Sequence, residues 1–93
     1  LFTSEGIINI KNKKWTNDYS EIDPRGITFV DKMYSKSYLR HLFSINELLG
    51  KQIATIHNLG FYKWIIEEAK NKIIEGKFLQ WKNKVCKKLV RKL

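Results

Sequence analysis

Tyr34-Ser35-Lys36-Ser37-Tyr38-Leu39-Arg40-His41-Leu42-Phe43 is where the chain turns helical. Ser35 has the side chain of an N-cap, and Tyr38, Leu39, Leu42 and Phe43 make an apolar stripe at helical spacing. Downstream, Ser44-Ile45-Asn46-Glu47 has the S-x-x-E spacing of a capping box, which predicts a second short helix ending at Gly50. Ile53 to Ile74 then predicts a long helix, with Ile53, Ile56, Phe61, Trp64, Ile65, Ala69 and Ile73 available to a core. Gly60 is its weak point, and Gly76 is a C′ stop. A last helix is expected from about Lys77 to the end. Upstream, Leu1-Phe2-Thr3, Ser4-Glu5-Gly6 and Ile7-Ile8-Asn9-Ile10 predict a short hairpin with Gly6 supplying the turn. Residues 11–33 are mixed in character, and Pro24 argues against a helix there. The expected fold is therefore mainly α. A β-hairpin and an irregular segment (1–33) precede a helical subdomain (34–93).

The chain has 93 residues, enough for one domain or a piece of one. It opens on Leu1 rather than Met, which suggests a fragment or a processed product. A hydrophobic content of 43% excludes wholesale disorder. The single cysteine, Cys86, excludes an internal disulfide and any multi-cysteine zinc site. No apolar run approaches the ~18 residues of a membrane span, and no signal-peptide pattern opens the chain. Lysine outnumbers arginine 15 to 3, so codon bias in an AT-rich genome accounts for part of the basic balance.

The charge is uneven. Residues 1–50 carry 7 basic and 6 acidic side chains, and residues 51–93 carry 11 and 3. No acid follows Glu75, whereas Lys77, Lys82, Lys84, Lys87, Lys88, Arg91 and Lys92 all do. Plotted at ~100° per residue, Phe78, Leu79, Trp81, Val85, Cys86, Leu89, Val90 and Leu93 share one half of the last helix. Lys77, Lys84, Lys87, Lys88 and Arg91 share the other. Lys92 lies near the boundary and Lys82 intrudes on the apolar side. Three readings are open: a core-packed helix with solvated lysines, a ridge facing nucleic-acid phosphates, or an amphipathic helix on a membrane surface. Counterion release draws a polyanion to such a ridge whatever its sequence.

Three stretches together resemble the C-terminal portion of the bacterial tRNA-guanine transglycosylases, also called queuine tRNA-ribosyltransferases. Leu1-Phe2-Thr3-Ser4-Glu5-Gly6-Ile7-Ile8-Asn9-Ile10-Lys11-Asn12 looks like that family's L-F-T-x-x-G-x-x-N-I-[KR]-N. Tyr34 to Phe43 looks like its Y-S-[KR]-x-Y-L-x-H-L-F. Thr55-Ile56-His57-Asn58-Leu59 with Phe61-Tyr62 looks like its [ST]-x-H-N-L-x-F-Y. Order and spacing agree, and the resemblance runs to about Trp81. It implies the C-terminal part of a TIM-barrel enzyme with a zinc-bearing helical insertion. It also implies a cytoplasmic parent that exchanges guanine for a deazaguanine in tRNA through a covalent intermediate. The family's catalytic aspartates lie upstream of the matched stretch, so no catalytic residue carries over. This chain alone is expected to be inactive.

The family's zinc pattern, C-x-C-x-x-C after an Asp-Pro and completed by a later His, is degenerate here. Its cysteine positions map onto Gly26, Thr28 and Asp31, and His57 matches the fourth ligand. Glycine has no donor and a neutral threonine hydroxyl is a poor one. No zinc is expected. His57 reads as a core histidine bonded to backbone or to Asp31, and Ile27, Phe29 and Val30 as apolar replacements for the metal. Losing a structural metal removes a large folding contribution, pointing to a degenerate family member or to compensation from a partner.

By the same resemblance, Tyr34, Tyr38 and His41 match the family's homodimer contact. The plainer reading is that these rings pack only inside the chain. His41 and His57 with Cys86 suggest no Cys–His chemistry, because Cys86 falls on the apolar half of the last helix and reads as an inert buried thiol. Glu67, Glu68 and Glu75 are spaced for ion pairs with Lys63, Lys70 and Lys72 along a solvated face. No phosphate-binding glycine loop or nucleophile motif occurs.

The function expected is a tRNA-binding and dimerisation segment of a tRNA-guanine transglycosylase-like protein. Lys77, Lys84, Lys87, Lys88, Arg91 and Lys92 would face phosphates. The partners would be tRNA and either a second copy or an upstream catalytic barrel, with no membrane. The alternative is a free-standing RNA-binding or assembly module derived from that family.

Overall fold

The computed structural model describes all 93 residues as a mainly helical chain behind a two-stranded hairpin. Strands β1 (Phe2–Thr3) and β2 (Gly6–Ile7) pair antiparallel, with Phe2 opposite Ile7 and Thr3 opposite Gly6. The turn is therefore Ser4-Glu5, and Gly6 belongs to the second strand. Its φ of +145° and a neighbouring backbone explain the glycine: a Cβ there would sit 2.7 Å from the Arg91 carbonyl oxygen.

Residues 11–33 are mostly irregular, but they hold one 3-10 turn at Lys13–Trp15 and a short helix, α1 (Phe29–Met33). Pro24 stops only its own neighbourhood. Four residues later Thr28 takes an extended N-cap conformation, and its backbone N–H donates to the Asp31 carboxylate at 3.0 Å. That acid in the first turn satisfies an orphan donor and starts the helix.

Helix α2 (Lys36–Ser44) is capped as its sequence predicts: Ser35 Oγ accepts the Tyr38 N–H at 3.1 Å. Ser44-Ile45-Asn46-Glu47, however, is a stop and not a start. Asn46 adopts the left-handed conformation (φ 57°), Glu47 N–H reaches back to the Leu42 carbonyl at 2.9 Å, and Asn46 N–H reaches that of Phe43 at 3.2 Å. This is a Schellman arrangement with asparagine in the role usually given to glycine.

Helix α3 (Leu48–Ile74) follows at once and runs 27 residues, about 40 Å. It absorbs the expected short helix, since neither Gly50 nor Gly60 interrupts it. Both glycines mark close contacts instead. A Cβ on Gly50 would lie 3.1 Å from Leu42 Cβ of α2, and one on Gly60 would lie 2.0 Å from Thr28 Cγ2. Gly76 (φ 72°) ends the helix with a second Schellman turn, Lys77 N–H to the Lys72 carbonyl at 2.9 Å.

Helix α4 (Phe78–Leu89) stops short of the chain end. Residues 91–93 leave it and lie parallel to β2. Ile7 N–H donates to the Arg91 carbonyl at 2.7 Å, and Leu93 N–H to that of Ile7 at 2.8 Å.

The core lies at one end of the molecule. Ile8, Ile10, Trp15, Ile22, Val30, Leu39, Leu42 and Ile53 form it, drawing on both halves of the sequence. A buried aliphatic side chain of this size contributes about 1.5–3 kcal/mol. The far half of α3 and α4 bury little, and α4 has no fully buried residue. Its apolar half is only partly covered, through Phe78, Trp81, Val85 and Leu89. Cys86 is exposed, contrary to the inert buried thiol expected from the helical plot. Ile56 and Ile73, offered to the core by periodicity, are also exposed. Amphipathicity says which face would be buried and does not supply the surface that buries it.

Candidate functional site

Three constellations hold the residues singled out by sequence. The first surrounds His57, which is fully buried on α3. Its Nδ1 lies 2.5 Å from Asp31 Oδ1, and its Nε2 donates to the Phe2 carbonyl oxygen. A carbonyl oxygen only accepts, so Nε2 carries a proton. Nδ1 faces the Asp31 carboxylate, an arrangement that favours a proton on that nitrogen too. Burial alone would pull its pKa down. The bond to Asp31, the Phe2 carbonyl and the negative charges of Asp31 and Asp23 outweigh that and hold it above the ordinary histidine value.

These residues do not fit a zinc ion. Asp31 and His57 spend their donor atoms on each other, and Asp31 Oδ2 is taken by Thr28 N–H. Thr28 Oγ1 is buried without a partner, but its methyl is pressed against Gly60. Gly26 offers no donor, and the space where its side chain would project is filled by the Lys32 tail, 2.4 Å from an ideal Cβ. A lysine stem fills the position that the resemblance assigns to a thiolate. No group of three His, Cys, Asp or Glu side chains is placed to share a metal. Of the apolar replacements expected, Val30 is buried, Ile27 is half-buried and Phe29 is exposed.

Two residues in this region have roles that the sequence does not reveal. Asn58, next to His57, accepts the Phe2 N–H through Oδ1 at 3.2 Å. The His-Asn pair thus holds both backbone polar groups of Phe2, whose ring stacks on Phe61 at 6.0 Å. Asp23 is fully buried and accepts from Ser4 N at 2.8 Å, Ser4 Oγ at 2.6 Å and Arg25 N at 3.0 Å. It fixes the hairpin turn to the irregular segment. The only available signal was their proximity to the Asp-Pro and His-Asn dipeptides.

The second constellation is aromatic. Tyr34 and Tyr38 stack at 5.6 Å with their planes 11° apart. They separate two hollows. On one side lies an apolar groove of about 510 Å³, whose walls include Phe29, Tyr34, Leu48 and Ile56. Phe29 and Leu48 are each about two-thirds exposed (65% and 66%), so this groove is open to a partner. On the other lies a polar hollow of about 380 Å³, in which Tyr38 and His41 meet Tyr19 and Arg40. Tyr34 is partly buried and packs against the core, as the plainer reading expects.

The third is basic. Lys77, Lys84, Lys87 and Lys88 are exposed at or along α4, whereas Arg91 and Lys92 lie in the tail beyond it. The ridge is thus shorter than the sequence plot suggests. Lys88 and Arg91 share Glu5, at 3.5 and 3.8 Å, and Arg91 also donates to the Glu5 carbonyl at 2.8 Å. Lys77, Lys84, Lys87 and Lys92 pair with no carboxylate. No helix is long and apolar enough to cross a membrane.

Comparison with known proteins places the whole chain in one context. A family profile described as queuine tRNA-ribosyltransferase matches residues 1–91. The queuine tRNA-ribosyltransferase of Aquifex aeolicus (strain VF5) is 39% identical over 93 residues, covering 100% of this chain and 25% of that protein. That of Francisella tularensis subsp. novicida (strain U112) is 40% identical over 82 residues, covering 88% of this chain and 22% of the relative. The chain spans about a quarter of the length of these curated relatives.

Proposed function

The chain belongs to the queuine tRNA-ribosyltransferase family, and on that premise we propose that it is the tRNA-contacting and dimer-forming C-terminal segment of a cytoplasmic base-exchange enzyme. The observation that carries the reading is the stretch of α4 and the residues after it, where no acid occurs and Lys77, Lys84, Lys87 and Lys92 pair with no carboxylate. Together with Lys88 and Arg91, they would meet tRNA phosphates. Tyr34, beside an open apolar groove, and Tyr38 and His41, in the adjoining polar hollow, would meet a second copy, because large rings with wet polar tips favour such contacts. The aliphatic residues left bare on the outer helices, Ile66, Ile73, Leu79 and Val90, would lie against a catalytic barrel supplied by the rest of the protein. The segment brings no catalytic residue of its own and would not exchange a base alone.

Titration of the chain with unfractionated tRNA at several salt concentrations tests this. Log K should fall linearly with log salt, by roughly 0.7–0.9 per phosphate contact. Replacing Lys84 and Lys87 by Gln should lower the slope by about one to two units. A salt-independent affinity, or no binding, removes the tRNA role. Tyr34→Ala with Tyr38→Ala should shift sedimentation toward the monomer, and an unchanged mass removes the dimer role.

A further inference from the structure

Between α3, α4 and the hairpin turn lies a cleft of about 280 Å³ that neither the interface nor the His57 constellation uses. This is near the low end, about 300 Å³, of pockets that take a small ligand. Trp64 of α3 and Trp81 of α4 both line it, and both are half-buried. Arg25 lies over the Trp64 ring, 5.1 Å from its centroid. Lys72, Lys84 and Lys88 join Arg25 around the cleft, with Glu68 as its single acid. Lys72 is drawn to Glu75 at 3.5 Å and Lys88 to Glu5 at 3.5 Å, which leaves Arg25 and Lys84 without a carboxylate.

Two indoles and uncompensated cations around a narrow cleft match the chemistry of an unpaired nucleotide, whose base stacks while its phosphates meet charge. Inside a duplex every base is stacked on both faces, so only an unpaired nucleotide or a duplex end offers a bare one. A purely acidic ligand would leave the indoles without a purpose, and an apolar one would desolvate the cations. Glu68 adds a preference. A carboxylate accepts hydrogen bonds, so it suits the N4 amino group of cytosine and opposes the O4 acceptor of uracil.

We propose that this cleft holds one unpaired, amino-bearing nucleotide of an RNA strand, with its base against Trp64 and Trp81 and its phosphates toward Arg25 and Lys84. The inference rests on the RNA-contact reading above and adds to it a site for a single base. It assigns Trp64 and Glu68 to recognition as well as to packing.

The full chain is titrated with oligocytidylate, with oligouridylate and with a blunt RNA duplex of equal length, following indole emission and anisotropy. Trp15 is buried in the core, so the emission change reports on Trp64 and Trp81. Oligocytidylate should quench emission and bind roughly three- to tenfold tighter than oligouridylate. Trp64→Leu should weaken single-strand binding by roughly tenfold and leave duplex binding unchanged. Glu68→Gln, a half-buried and nearly isosteric change whose folding is checked by circular dichroism, should erase the cytosine preference. The proposal fails if Trp64→Leu, with an unaltered circular dichroism spectrum, weakens strand and duplex alike or neither. It fails too if Glu68→Gln keeps the full preference, or if cytidine monophosphate binds as tightly as the strand. Salt-dependent binding of strand and duplex without quenching removes the cleft alone, whereas no RNA binding at any salt removes the RNA-contact reading as well.

Discussion

The His57 ring is enclosed by a carboxylate, a carbonyl and packed side chains, and the folded protein holds its pKa above the ordinary value. A group whose pKa is raised on folding binds its proton more tightly in the native state. Its contribution is therefore complete below the unfolded value, about 6.5, and is lost as pH rises through the higher folded value. The thermal midpoint should fall as pH is raised from neutral into the mildly alkaline range. His57→Gln should flatten that part of the profile, as read by denaturation across pH. Asp31→Ala removes the carboxylate facing the buried ring and should destabilise by about 3–5 kcal/mol in chemical denaturation, because one partner of a buried pair then stands alone. The partnership of Asp31 with His57 was legible from the resemblance, which set both at ligand positions. The grip on Phe2 was not, because a backbone carbonyl has no letter in the sequence.

At the scale of elements, the informative positions are the two glycines of α3. Helix propensity says that Gly60 should weaken the helix, and alanine there should gain up to about 1 kcal/mol. Packing reverses the sign, because the added methyl would overlap the Thr28 methyl. Gly60→Ala should therefore destabilise by about 1–3 kcal/mol. In a Thr28→Ser background, where the obstructing methyl is gone, the same change should become neutral or stabilising. A double-mutant cycle by urea denaturation reads the coupling, and additivity of the two changes would refute the contact. Caps and stops were legible where one residue type has one use, as with Ser35 and Gly76. They were not legible at Ser44–Glu47, where the spacing fits a helix start and asparagine fits a helix end equally well. Backbone capping chose between them: Glu47 N–H bonds to the Leu42 carbonyl and Asn46 N–H to that of Phe43, which closes the helix before. The basic ridge was legible in composition, but its last two members, Arg91 and Lys92, were drawn off the helix by pairing with β2.

The whole molecule measures 46 × 21 × 17 Å with a radius of gyration of 14.3 Å, against about 12 Å for a compact chain of this length. One end holds the eight-residue core, and the other is two helices in partial contact. Stability should be graded along α3. In native-state hydrogen exchange, amides around Ile53 to Phe61 should be protected to near the global limit, while those from Ile66 through α4 should exchange by local opening. Uniform protection would mean that the outer helices are held by contacts stronger than their burial indicates.

Residues 91–93 also have a consequence for the hairpin. They occupy the backbone N–H and carbonyl of Ile7 on the side of β2 that faces away from β1. A cut after Val90 would hand both groups to water, and the Ile7 amide, closed to solvent by the Arg91 carbonyl, should then exchange its proton faster.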